Sequence, residues 1–299
     1  MTGIRRNKKL RRPDAAAGFT CYDEQAMPKA SLSAFLSSHQ HCVLVQITEA
    51  WGSTPRDQGT PMLVATDAIW GTIGGGQLEF MAIDNARAVL SGGGNAVMDI
   101  PLGPEIGQCC GGRMRLSFEP VTEAIIAQLE QRLKREDRAH SSVFLFGAGH
   151  VGLALARALV PLPLAVTVVE TRADALDALP REVTRKHVAI PEAMVAEISA
   201  GGAAVILTHD HALDFLIARE ALARRDLAYV GMIGSQTKRA TFGNWMKREG
   251  AGTDLIDGLI LPIGGDTVRD KRPEVIAAMV AAELLTVLFS PTAHRLRGG

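Results

Sequence analysis

The chain has 299 residues, 47% of them hydrophobic and 21% charged, with 32 basic and 32 acidic side chains and a formal net charge of zero. That length accommodates about two domains, and the balanced charge gives no global reason to expect nucleic acid or an anionic membrane as a partner. No run approaches the roughly 18 apolar residues of a membrane span.

The start, Arg5-Arg6-Asn7-Lys8-Lys9-Leu10-Arg11-Arg12, leads into Pro13 and alanines without the apolar stretch an export signal needs, so 1–28 reads as a solvated, disordered basic tail. Four scattered cysteines and no export signal indicate a reducing cytoplasm. Beyond the tail the chain reads as α/β: a small N-terminal α+β domain over 29–138, then a Rossmann-like domain with a mostly parallel sheet over 139–299.

In the first domain the pattern predicts a short helix at 31–40 and strands at 42–48, 61–65 and 68–73. The glycines Gly74, Gly75 and Gly76 close the third strand. Leu78, Met81, Ala82, Asn85, Ala86 and Val89 then recur at helical spacing to Leu90. Strands at 96–102 and 114–120 flank Gly107-Gln108-Cys109-Cys110-Gly111-Gly112. Two adjacent thiols flanked by glycines read as a site, because the glycines permit positive φ and close backbone approach, displaying sulfur to a soft partner such as a metal or a persulfide. One of the pair can equally be a buried small hydrophobe. An amphipathic helix over 121–138 ends the domain.

The second domain opens on an apolar strand at 143–146, the turn Gly147-Ala148-Gly149-His150-Val151-Gly152, a helix over 153–159 and a strand at 165–169 ending in Glu170. Glycines between a buried strand and a helix, with an acid closing the next strand, fit a dinucleotide fingerprint. The turn approaches phosphate at a helix N-terminus, and the acid bonds a ribose hydroxyl. A Rossmann-like domain that takes a different phosphate ligand, or none, fits the same residues. His150 is placed to touch phosphate. Strands at 203–207 and 227–233 end in Thr208-His209-Asp210-His211 and in Gly234-Ser235-Gln236-Thr237-Lys238-Arg239, and Lys238 and Arg239 suit an anionic group. A strand and turn at 259–266 and an apolar helix from Pro273 to about Leu288 complete the chain; that helix is expected on the sheet or in a dimer interface.

Two chemistries compete. His209, His211 and Asp214 resemble a metal-hydrolase loop, but the acid stands one position too far along, and Asp210 or Asp214 as a helix N-cap is the simpler reading. An NAD(P)-dependent oxidoreductase would use the Rossmann domain, with His209 as the remaining proton-transfer candidate.

Taken together, the motifs resemble the XdhC/CoxI family of accessory proteins of xanthine dehydrogenase and related molybdenum hydroxylases, over about 42–283. The resemblance is carried by Gly52-Ser53-Thr54-Pro55-Arg56 with Gly59 and Met62, Gly71-Thr72-Ile73-Gly74-Gly75-Gly76-Gln77-Leu78-Glu79, the Cys109-Cys110 segment, Gly147 to Gly152, Thr208-His209-Asp210, Gly231-Met232-Ile233-Gly234-Ser235 with Lys238-Arg239, and Pro262-Ile263-Gly264. It implies a chaperone without turnover of its own, which binds molybdenum cofactor (molybdopterin), holds it while a terminal oxo ligand is exchanged for sulfur, and inserts it into apo xanthine dehydrogenase. Implied partners are xanthine dehydrogenase, a cysteine desulfurase and the molybdenum insertion enzyme, with a homodimer expected and nucleotide binding left open. The cofactor-binding residues so implied are Arg56, Gly74, Gly75, Gly76, Gln108, Cys109, Cys110, Gly147, Gly149, His150, Gly152, Glu170, His209, Asp210, Ser235 and Lys238, with Cys109 and Cys110 as molybdenum-proximal thiols. The chain departs from the family pattern at Gly265-Asp266-Thr267-Val268-Arg269-Asp270 and at Ala278.

Overall fold

A computed structural model describes residues 31–104, 111–250 and 253–289. The basic tail and Gln108, Cys109 and Cys110 lie outside the described residues. The chain divides into two compact units, Met1–Glu130 and Gln131–Gly299.

The first unit is an antiparallel sheet of β1 (Val43–Trp51), β2 (Pro61–Val64), β3 (Ile69–Gly71), β4 (Val97–Pro101) and β5 (Arg113–Pro120), in the order β3-β2-β1-β5-β4. Helix α1 (Leu32–Ser38) precedes it, capped by the Ser31 hydroxyl, which accepts from the Ala34 amide. Helix α2 (Gly76–Leu90) covers one face. The alternation of β1 puts Val43, Val45 and Ile47 on that face, where they meet Leu78, Ala82, Ile83 and Ala86 of α2 with Met114, Leu116 and Phe118 of β5. A bulge between Ile47 and Glu49 carries β1 on to Trp51, beyond the expected strand end at 48. Helix α3 (Glu123–Ala139) follows.

The second unit is a parallel sheet of β6 (Ser141–Phe146), β7 (Leu164–Glu170), β8 (Thr184–His187), β9 (Ala203–Ile206) and β10 (Tyr229–Met232), in the order β10-β9-β6-β7-β8. Buried on both faces, its inner strands read as continuous apolar runs. Helices α4 (His150–Leu159) and α8 (Pro273–Leu288) pack one face, through Leu155, Leu159, Val280 and Leu284 against Val143, Leu145, Val168 and Val205. Helices α5 (His211–Ala223), α6 (Gln236–Arg248) and α7 (Thr253–Asp257) serve the other, where Phe215, Phe242 and Met246 meet Phe146, Ile206 and Met232. Helix α8 thus packs on the sheet face.

The second unit departs from the sequence expectations as well. Helix α4 begins at His150, inside the glycine turn. The segment at 259–261 forms only an isolated bridge, Ile260 with Gly231; Pro262 follows at once and has no amide hydrogen to continue a ladder. Edge strand β8 and helix α7 are additional elements that the apolar pattern does not mark.

Candidate functional site

In the first unit, three motifs distant in sequence are stitched together. Ser53 bridges Gly111, and a Cβ on Gly112 would stand 2.2 Å from the Ser53 carbonyl oxygen, so the Gly52-Ser53 turn requires glycine there. A stem is closed by Leu102 and these glycines, with the Gly111 amide donating to the Leu102 carbonyl (2.9 Å) and the Leu102 amide to the Gly112 carbonyl (2.8 Å). Gly74 has φ +128, and a Cβ there would lie 2.6 Å from the Pro55 ring. Arg56 follows Pro55 and is exposed.

The glycine turn is held by Glu79, a residue of the matched motif to which spacing alone assigns no role. Its Oε2 accepts from the Thr72 hydroxyl, from Ile73 N (3.0 Å) and from Gly75 N (3.1 Å). Gly75 is the N-cap of α2 and lends no side-chain bond. Gly75 and Gly111 both have positive φ, and the space where a side chain would begin is open to 4 Å at each, so a ligand can approach main chain at either point. Outside this turn, Trp51 stacks over the Arg115 guanidinium, 5.6 Å from the ring centroid. Arg115 in turn pairs with Glu49 (2.9 Å) and Asp99 (3.2 Å).

The second unit places its candidates along the carboxyl ends of the parallel strands. The sheet order reverses between β6 and β9, the switch point at which open α/β sheets bind ligands. Gly147 (φ +117) fits tightly against the chain leaving β9, since a Cβ there would lie 2.6 Å from the Leu207 carbonyl oxygen. Gly152 lets the first turn of α4 close over the loop; its Cβ would lie 2.1 Å from the Gly147 carbonyl oxygen. Gly149, the N-cap of α4, has open space around it, and His150 beside it is exposed.

Glu170 ends β7 and is 4% exposed. Burial by itself would raise its pKa, but bonds from the Arg172 side chain and from the Ala148, Arg172 and Thr171 amides outweigh it and hold the group at about 2 instead of the ordinary 4.5. The carboxylate therefore fixes the glycine turn through the Ala148 amide (2.9 Å).

On the other flank, exposed Asp210 caps α5 by accepting from Ala212 N (2.7 Å) and Leu213 N (3.4 Å), in agreement with the simpler reading of that acid. His209 is exposed beside it. Asp214 is fully buried and pairs with Lys238, whose ammonium also donates to the Ile233 carbonyl (2.9 Å), while the other Asp214 oxygen accepts from Thr208 N (3.1 Å) and the Thr208 hydroxyl (2.6 Å). Arg239 donates to the Leu259 carbonyl (2.7 Å). Both cations expected to meet an anion are thus bonded within the fold, tying the loops after β9 and β10. Ser235 is the N-cap of α6 without a side-chain bond to the helix. The described candidates thus form two sets, one in each unit.

Three anchoring acids, Glu79, Glu170 and Asp214, hold these loops. Spacing suggests a ribose contact for Glu170, a metal ligand or helix cap for Asp214 and nothing for Glu79. The available signal is their position: each lies at or beside a polar or glycine turn at a helix start or strand end.

Comparison with known proteins places these features. Residues 143–284 match the XdhC Rossmann domain, and residues 35–101 match the XdhC and CoxI family. A crystal structure described as a xanthine dehydrogenase from Bacillus halodurans superposes with a TM-score of 0.70 at 18% identity, covering 90% of this chain and 99% of that one, and so shares the fold. The uncharacterized protein YqeB of Escherichia coli K12 is 26% identical over 260 residues, which are 83% of this chain and 44% of that protein. The chain therefore spans less than half the length of that curated relative. With the two family matches in order along the chain, and the glycine turns, the bridged stem and the Rossmann sheet where the shared motifs place them, this chain belongs to the XdhC/CoxI family.

Proposed function

We propose that this protein is an accessory factor that binds molybdenum cofactor as cargo, keeps it during exchange of an oxo ligand for sulfur and passes it to apo xanthine dehydrogenase. Family membership supports an accessory role. The observation that carries the reading to a site is the convergence of Gly52 to Pro55, Gly74 to Gly76 and the stem of the Cys109-Cys110 segment in one unit. The cargo brings a phosphate, a hydrogen-bonding pterin and a metal held by sulfur. The residues fit it: exposed Arg56 for phosphate, open main chain at Gly75 and Gly111 for close approach, and thiols for a soft metal.

In this reading Cys109 or Cys110 stands near the metal or carries sulfur in transit. A cysteine desulfurase and the molybdenum insertion enzyme are the expected suppliers, in the cytoplasm, and the working form is a homodimer. Among the described residues no helix is long and apolar enough to cross a membrane.

The test is binding of anaerobically released cofactor to the purified chain, read as molybdenum and pterin fluorescence after gel filtration. About one equivalent per chain is expected, falling at least about tenfold in Cys109→Ala or Cys110→Ala while the circular dichroism is unchanged, in line with the loss of a metal-proximal ligand. Failure of the unmodified chain to retain molybdenum sinks the proposal.

A further inference from the structure

In a nucleotide-binding sheet of this topology, the acid at the end of the second strand carries the adenosine ribose, because its oxygens accept from the vicinal hydroxyls. Glu170 occupies that place at the end of β7, yet its oxygens are already engaged. Oε1 accepts from Thr171 N (2.9 Å), the Thr171 hydroxyl (3.2 Å), Arg172 N (3.1 Å) and Arg172 Nε (3.3 Å). Oε2 accepts from Ala148 N (2.9 Å) and Arg172 Nη2 (3.1 Å). A carboxylate offers about four lone-pair positions, and these donors crowd all of them. Arg172 is 47% exposed and Glu170 4%, so the guanidinium is the solvent-facing member of the pair.

We propose that Arg172 is a specificity-determining residue that closes the ribose subsite, so that the Rossmann unit rejects dinucleotides, such as NAD, whose anchoring needs a carboxylate free to accept from a vicinal diol. A ribose entering here must displace a bidentate, charge-assisted pair and offers two neutral hydroxyl donors in exchange. The exchange is unfavourable because the guanidinium bond is the stronger partner for a buried carboxylate. Without the Arg172 side chain, three main-chain amides and the Thr171 hydroxyl remain on Glu170, and Oε2 keeps a single partner, the Ala148 amide. One acceptor position then faces the ligand. This inference stands whether or not the first unit carries molybdenum cofactor.

The experiment is titration of the full chain with NAD⁺ and NADH, followed by calorimetry and nicotinamide fluorescence. The unmodified chain is expected to show no saturation up to millimolar concentration. Arg172→Ala is expected to bind at least about tenfold more tightly, the worth of one recovered hydrogen bond. That gain should be absent for a dinucleotide lacking the adenosine 2′-hydroxyl. Arg172→Gln, which keeps the bulk and removes the charge, serves if the alanine chain does not fold. Micromolar NAD⁺ binding by the unmodified chain overturns the proposal, and so does a folded Arg172 variant with no gain.

Discussion

Gly152 and Gly149 stand in one turn and differ in what fixes them. At Gly152 any side chain meets the Gly147 carbonyl oxygen at 2.1 Å, and backbone cannot yield as a flexible side chain can. Gly152→Ala is therefore expected to cost at least about 3 kcal/mol, read in urea unfolding of the full chain or as loss of soluble protein. Gly149 has open space and φ −70, so Gly149→Ala should cost no more than about 1 kcal/mol. Glu79 presents the complementary case, one oxygen serving several donors. Glu79→Ala leaves the part-buried amides of Ile73 and Gly75 without their acceptor, and a loss of about 1–3 kcal/mol is expected. Glu79→Gln, whose amide oxygen still accepts, should lose less; equal losses in the two variants would remove the hydrogen bonds as the cause.

At the scale of elements, the loop joining β6 to α4 depends on an acid at the end of β7, which links its integrity to pH. Glu170 is held at about 2 in the folded chain against an ordinary 4.5, so its contribution is complete above about pH 4.5 and is lost as pH falls toward 2. Because Arg172 is partly open to solvent, the contribution is discounted to about 1–3 kcal/mol. Unfolding measured across that window should show a steep loss of stability for the natural chain and a flatter one for Glu170→Gln. The elements most legible in sequence are those with one strong period: α2, β6 and α8 show either a sustained apolar repeat or a continuous apolar run. The edge strand β8, Thr184-Arg185-Lys186-His187, carries polar residues throughout, so no alternation marks it. The stretch from 171 to 202 includes 3₁₀ turns such as Pro191–Glu197, which have no long-range period to read.

For the molecule as a whole, the α/β class and the Rossmann-like second half follow from alternating apolar strands and helices with a glycine turn at the first crossover, since parallel neighbours need such crossovers to be joined. The glycine positions of the candidate site are legible because glycines punctuate the turns between elements, although the neighbours that require them, such as Leu207 at Gly147 or Pro55 at Gly74, stand far along the chain. The anchors are less so: the pairing of Asp214 with Lys238 depends on how the chain comes together in space, whereas Glu79 bonds a turn only four to seven residues before it and is marked by its position in the first turns of α2. The closed stem at Leu102, Gly111 and Gly112 has a wider consequence. Its two main-chain bonds join residues on either side of 105–110, so β4 and β5 take their register from residues outside that segment. The β4–β5 pair is thus latched at its open end by main chain alone, so substitutions between the latched residues leave the pairing of the two strands to constraints of their own.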